Sequence, residues 1–216
     1  MKVDSHVPTD LPEFLGGEPA VARQQCRPRP PAADGHTPGE PGLWVFILGD
    51  MSLFGAFFVV LLWQRRATPT TFEESARELL RFIGVINTAV LLLSSYLVVS
   101  ALWAHRQGCW RRARISVLAA LLCAAVFATL KVIEYLHVLR GGQGPTTNQF
   151  YTFYFVLTGV HLLHVMIGAG LLTAWLQQLR GHGSQSRFVE GVAVYWHMVD
   201  LLWVVIFTLL YLVCAA

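Results

Sequence analysis

The sequence predicts an all-α, polytopic membrane protein built as a bundle of five transmembrane helices. Of its 216 residues, 55% are hydrophobic and only 13% are charged, against about 25% charged in a typical soluble domain. The mean hydropathy is +0.52. The apolar residues are gathered into five long runs, each near the roughly 20 residues a helix needs to cross about 30 Å of hydrocarbon. Together these exclude a disordered polar chain, a disulfide scaffold and an ordinary soluble domain. The net charge of +3 is small, and arginine and lysine are scattered through the polar loops, so no nucleic-acid partner is expected.

Residues 1–40 are polar and hold seven of the ten prolines. They lack an apolar core of signal-peptide length and read as a flexible tail before the membrane domain, 41–216. The spans are expected at 42–63, 82–104, 115–138, 151–176 and 194–214, separated by short polar loops. Pro69 falls in the first loop, and Gly141, Gly142, Gly144 and Pro145 break the chain in the third. Lys2, Arg23, Arg27 and Arg29 lie in the tail, and Arg65, Arg66, Arg77 and Arg81 in the first loop. Arg106, Arg111, Arg112 and Arg114 follow the second span, Arg140 the third, and Arg180 and Arg187 the fourth. An inside N-terminus puts ten of these inside and five outside, so the N-terminus is expected in the cytoplasm and the C-terminus outside.

A charge in hydrocarbon is costly, which makes intramembrane ionisable groups the first functional candidates. Asp50 lies in the first span, Lys131, Glu134 and His137 in the third, His161 and His164 in the fourth, and His197 and Asp200 in the fifth. Within each helix these fall three residues apart and share a face. Asp50 and Asp200 both lie about 10–12 Å from the inner surface at 1.5 Å per residue, with His164 near the midplane. Those three are expected to share an inner polar layer, with Lys131 and Glu134 in the outer half. Lys131 and Glu134 read as a structural ion pair, with a proton relay as the alternative. Each histidine reads as a hydrogen-bonding link to a neighbouring helix rather than a ligand. Asp50 has no basic residue within a turn, so it is protonated, paired across helices or bound to something.

Metal readings find little support. Glu134 and His137 form an ExxH, but a di-iron bundle needs a second ExxH and two more carboxylates. Two histidines holding a haem would need equal depth, which His161 and His197 lack. The HLLH at 161–164 is not HExxH. Four cysteines without short pairings are expected to be separate thiols. Small residues at Gly49, Ser52 and Ala56, at Gly84, Thr88 and Ser95, and at Gly159, Gly168 and Gly170 are expected to mark packing faces. Trp44, Trp63, Trp103, Trp175, Tyr195 and Trp196 are expected at the membrane interfaces.

Four segments carry a resemblance: FYTFYFVLTGVHLLHVMIGAG at 150–170, YWHMVDLLWVVIF at 195–207, KVIEYLH at 131–137 and WVFILGDMSLFGAFF at 44–58. Together and in this order they resemble subunit III of the haem–copper oxidases, the cytochrome c oxidase subunit III family. The resemblance covers about 41–214. It implies a five-helix form with no redox centre of its own, haem and copper belonging to partner subunits I and II. It further implies packing against subunit I, bound phospholipid, and support of proton uptake during aerobic electron transport in a bacterial plasma membrane.

Carried over residue by residue, Asp50 stands where the family has a membrane-embedded glutamate. Glu134 and Tyr135 match the family's EY pair, and His161, His164, His197 and Asp200 match its histidine motifs. Asp50, His164 and Asp200 are then expected at the lipid cleft and proton-related layer. Lys131, Glu134, Tyr135, His161 and His197 are expected to form a structural polar network. Two departures stand out. Asp50 is one methylene shorter than the family glutamate and sits in a GDM context, and Lys131 is charged where the family tends to an uncharged polar residue. The opening PGEPGLWVFILGDM, 38–51, is similar to a branch associated with nitric oxide reductase, which makes an accessory protein of denitrification the alternative. A stand-alone membrane metalloenzyme and a proton channel are the remaining function classes.

Overall fold

The computed structural model describes residues 41–77, 79–180 and 186–214; the tail at 1–40 lies outside them. The described residues are helices joined by short turns, without strands. The helices are α1 (Pro41–Ala67), α2 (Pro69–Arg77), α3 (Arg81–Arg106), α4 (Trp110–Arg140), α5 (Gln149–Arg180) and α6 (Ser186–Phe207), and α6 continues into a π-helical turn, Thr208–Val213. Five of them, all but α2, are long and apolar enough to cross a membrane. The chain is a multi-pass membrane protein, with each span extending a few residues beyond its apolar run into flanking polar positions.

α3 and α4 form the central hairpin. The buried positions of α3 include Gly84, Asn87, Leu91, Ser94, Val98 and Ala101. Those of α4 are Ala113, Val117, Ala120, Ala124, Phe127, Lys131, Glu134 and Val138. Both sets alternate three- and four-residue steps, the spacing of a coiled-coil seam. Alanines in the first half of α4 let the two backbones approach closely. Gly108 ends α3 with φ of 71° and Gly142 ends α4 with φ of 80°. Each is followed by a residue whose N–H closes the helix end: Cys109 to the Ala104 carbonyl at 2.9 Å and Gln143 to the Val138 carbonyl at 3.2 Å. This left-handed cap favours glycine.

α6 packs against α3 and α5, and α1 lies along α5 and α6. The packing stripe of α1 is narrow: Ile47, Asp50, Phe54 and Leu61 are buried. The expected small-residue face is not the one used. Ser52 and Ala56 are exposed, and a side chain at Gly49 would meet nothing within 4 Å. Bulky Phe54 and Leu61 fill the contact instead. On α5, Gly159 and Gly170 are likewise open, whereas Gly168 lies under the Trp196 ring, where an added Cβ would approach to 2.8 Å. Gly84 does the same for Phe207, also at 2.8 Å.

Two further expectations are corrected. The segment 64–81, read as a loop, contains α2. Proline at its first position suits a helix start, and the Thr68 carbonyl receives the Phe72 N–H at 3.4 Å. Phe72, Ser75 and Ala76 form its buried face. Phe72 meets Phe150 edge-on at 5.6 Å, and Asn148 Nδ2 donates to Ser75 Oγ at 2.9 Å. A nine-residue helix is marginal alone; its docking on α5 stabilises it. The aromatic positions also divide. Trp63 and Trp103 are exposed near helix ends, but Trp175, Tyr195 and Trp196 are buried, as packing against other helices outcompetes interfacial placement. Cys123 and Cys214 are free thiols, whereas Cys109 is disulfide-bonded rather than a separate thiol.

Candidate functional site

Two buried acid–base groups define the candidate site. Where α1 packs on α5, Asp50 of α1 meets His164 of α5, with Oδ1 and Nε2 3.1 Å apart. Both residues are 8% exposed. His164 Nδ1 lies 2.8 Å from the Val160 carbonyl one turn back on its own helix. The Tyr195 hydroxyl, from α6, donates to the His164 carbonyl at 3.3 Å. Phe54 closes one side, edge-on to the imidazole at 5.7 Å. Phe46, a turn to the other side on α1, lies 6.2 Å from the Tyr195 ring. Asp50 Oδ2 is buried and has no hydrogen-bond partner among the described residues.

In the second group, Lys131 and Glu134 of α4 are 0% exposed. Lys131 Nζ donates to Glu134 Oε2 at 3.0 Å, to the Tyr211 hydroxyl at 3.2 Å and to the Tyr154 hydroxyl at 3.4 Å. These match the three donors of an ammonium group. The Tyr211 hydroxyl in turn donates to Glu134 Oε1. The rings of Tyr154, Trp203, Tyr135 and Tyr211 surround the ammonium at 4.9, 5.1, 5.4 and 5.8 Å, within cation–π range. Tyr135 is held by Thr158 of α5 at 2.7 Å.

His161, expected to hydrogen-bond to a neighbouring helix, instead sits between the two groups with neither ring nitrogen hydrogen-bonded to a described residue. Its ring packs against Trp203 at 5.2 Å and Phe127 at 5.7 Å. Ring packing has taken the place of the expected polar link. Along α3 and α6 runs a third polar feature. His197 Nδ1 and Ser95 Oγ lie 2.6 Å apart, and the indoles of Trp196 and Trp203 donate to Ser94 at 2.9 Å and Thr88 at 3.1 Å. Asp200 of α6 is also buried, with neither carboxylate oxygen hydrogen-bonded to a described residue.

The expected inner layer of Asp50, His164 and Asp200 is therefore split: the first two meet, and Asp200 bonds to neither. The expected network of Lys131, Glu134, Tyr135, His161 and His197 is also divided. The first three converge, His161 is confined among rings, and His197 serves the α3–α6 seam. Tyr154 and Tyr211 carry no signal in the sequence, and Tyr195 reads there only as an interfacial aromatic, since all three reach the acid–base groups from other helices and no spacing signals it. The ExxH does not form a ligand pair: Glu134 is occupied by Lys131 and Tyr211, and His137 is exposed.

The fold and these groups define a class, a five-span helical membrane subunit with acid–base pairs sealed inside its bundle. The model of the cytochrome c oxidase subunit III family matches residues 40–215. Among curated relatives, the cytochrome c oxidase subunit 3 of Thermostichus vulcanus is 34% identical over 176 residues, covering 79% of this chain and 85% of the relative. The probable quinol oxidase subunit 3 of Staphylococcus aureus (strain USA300) is 29% identical over 177 residues, 80% of this chain and 87% of the relative. The chain belongs to the cytochrome c oxidase subunit III family, and so to a complex with other oxidase subunits.

Proposed function

We propose that this chain is the non-catalytic subunit III of a bacterial haem–copper oxidase. It spans the plasma membrane with its N-terminus in the cytoplasm and its C-terminus outside. Haem and copper reside in subunits I and II, and this chain packs against subunit I. Its apolar outer faces hold phospholipid, and its inner acid–base pair supports proton uptake. The observation that carries this reading is a family match running through all five spans, coupled to polar groups directed at one another inside the bundle. Those contacts stiffen and position helices; Lys131 and Glu134 leave no open valence for a redox centre. Relatives named for cytochrome c and for quinol oxidases leave the electron donor to be set by the host.

One observation favours a second host. Asp50, in its GDM context, replaces the family's glutamate, and an accessory role beside nitric oxide reductase fits that departure. Affinity purification from native membranes in mild detergent, with an absorbance spectrum and identification of co-purifying chains, separates the two. Haem spectra with oxidase subunits I and II support the first, and nitric oxide reductase subunits select the second. Haem bound to this chain alone, or its purification free of partners, overturns the proposal.

A further inference from the structure

The Asp50–His164 pair carries a protonation state that its hydrogen bonds fix. A carbonyl only accepts, so the 2.8 Å contact with Val160 places a proton on His164 Nδ1. In a neutral imidazole, Nε2 is then a bare lone pair, and it faces Asp50 Oδ1 at 3.1 Å. Were Asp50 also ionised, two acceptors would face each other across a buried, uncompensated negative charge. Were both groups protonated, the site would hold an uncompensated positive charge. Either state is costly in a water-poor interior. One proton between Oδ1 and Nε2 removes both problems. It sits on the acid, donating to Nε2, or on the imidazole, donating to the carboxylate, and both placements leave the pair neutral.

Among the described residues no neighbouring ion changes this balance. The α1 segment 44–64 contains no ionisable residue besides Asp50. α6 contributes Tyr195, whose hydroxyl is directed at the His164 carbonyl. α5 contributes His161, one turn away among aromatic rings. Lys131 of α4 is bonded to Glu134. A second feature points to exchange. Asp50 Oδ2 is buried without a partner, on the helix with the smallest share of its span inside the bundle. A buried carboxylate oxygen of this kind calls for a donor, and water is the smallest.

We propose that Asp50 and His164 form a single-proton binding site, neutral overall, whose proton exchanges with water at Asp50 Oδ2. Proton and charge balance: a water at Oδ2 gives up one proton as the pair releases one to it, and the net charge is unchanged. The protonation of the pair stands on its own geometry; its link to turnover rests on the function proposed above.

The test is infrared spectroscopy of the full chain in lipid nanodiscs, with aspartate carboxyl carbons isotope-labelled, in H₂O and D₂O. The expected result is a labelled Asp50 signal, as protonated acid or as carboxylate bonded to imidazolium. It is present at neutral pH, shifts in D₂O, and is lost in Asp50→Asn. His164→Phe should shift it to that of an acid without a nitrogen partner. A carboxylate titrating at the ordinary aspartate pKa beside a neutral histidine overturns the proposal, as does a doubly protonated pair or a signal insensitive to D₂O. If His164→Phe does not fold, the pH series on the native chain and Asp50→Asn decides. Failure of the host assignment leaves the infrared result untouched, so the two outcomes are separable.

Discussion

The two buried acid–base groups solve the same problem in opposite ways. Lys131 and Glu134 sit at successive seam positions of one helix and are closed on every side, by Tyr154 from α5 and by Tyr211 from the terminal π-turn. Asp50 and His164 are brought together from α1 and α5, and one carboxylate oxygen remains without a partner. Charge buried with all its hydrogen bonds made acts as a fastening, because any rearrangement exposes an unpaired ion. Charge buried with one position open is available for exchange. The difference lies in where the partners stand: the Lys131–Glu134 group draws on α4, α5 and the terminal π-turn, while Asp50 lies on the helix with the smallest share of its span inside the bundle.

Breaking the fastening should have the largest effect. Glu134→Ala strands the Lys131 ammonium, and removing one partner of a buried pair costs about 3–5 kcal/mol. The yield of assembled bundle should fall, and a denaturant titration in mixed micelles should show the loss. Replacing both residues, as Lys131→Met with Glu134→Leu, should recover most of it. A normal yield of the single variant would show that the pair does not hold the helices. Tyr211→Phe comes next, removing the donor to Glu134 and an acceptor for Lys131 at about 1–3 kcal/mol. Its signature in the same titration should be additive with a distant change such as Trp110→Phe and non-additive with Glu134→Ala.

The Asp50–His164 group should respond weakly in stability and more in function. Asp50→Asn keeps the side-chain volume and a donor toward His164, so its stability change should stay near about 0.6 kcal/mol, typical of polar links between membrane helices. Assembly should be intact, while lipid retention or the rate of turnover-linked inactivation changes. If both stay at wild-type values, Asp50 has no part in proton uptake or lipid holding. The smallest effect is expected at His161. Replacing a buried group without a partner by an apolar ring of similar shape is near neutral or stabilising, so His161→Phe should unfold at or slightly above the wild-type denaturant concentration. A clear loss of stability would instead reveal a bound water serving the imidazole.

Much of this molecule was written locally. The five spans, their order and the glycine-rich break after α4 follow from apolar run length and turn chemistry. So does the proximity of Lys131 and Glu134, which three-residue spacing on one helix brings together. Less visible were features that depend on how helices rotate against one another. Gly49, Ser52 and Ala56 form a plausible packing face by spacing, yet α1 presents Ile47, Asp50, Phe54 and Leu61 instead. α2 was hidden because its sequence is polar and starts at a proline; only the pocket beside Phe150 makes it a helix.

What the sequence alone determined is the membrane class, the span count, the family and most of the buried ionisable residues, though His137 is exposed and His105 is buried. Composition and 3.6-residue periodicity are properties of single segments, so they survive without knowledge of neighbours. The tertiary structure decided which acid meets which base. Lys131 finds its hydroxyls 23 and 80 residues away, and Asp50 finds His164 rather than Asp200 at its side. Such pairings depend on the rotation and depth at which whole helices pack, set by steric fits such as Gly168 under Trp196, and no spacing along the chain encodes them.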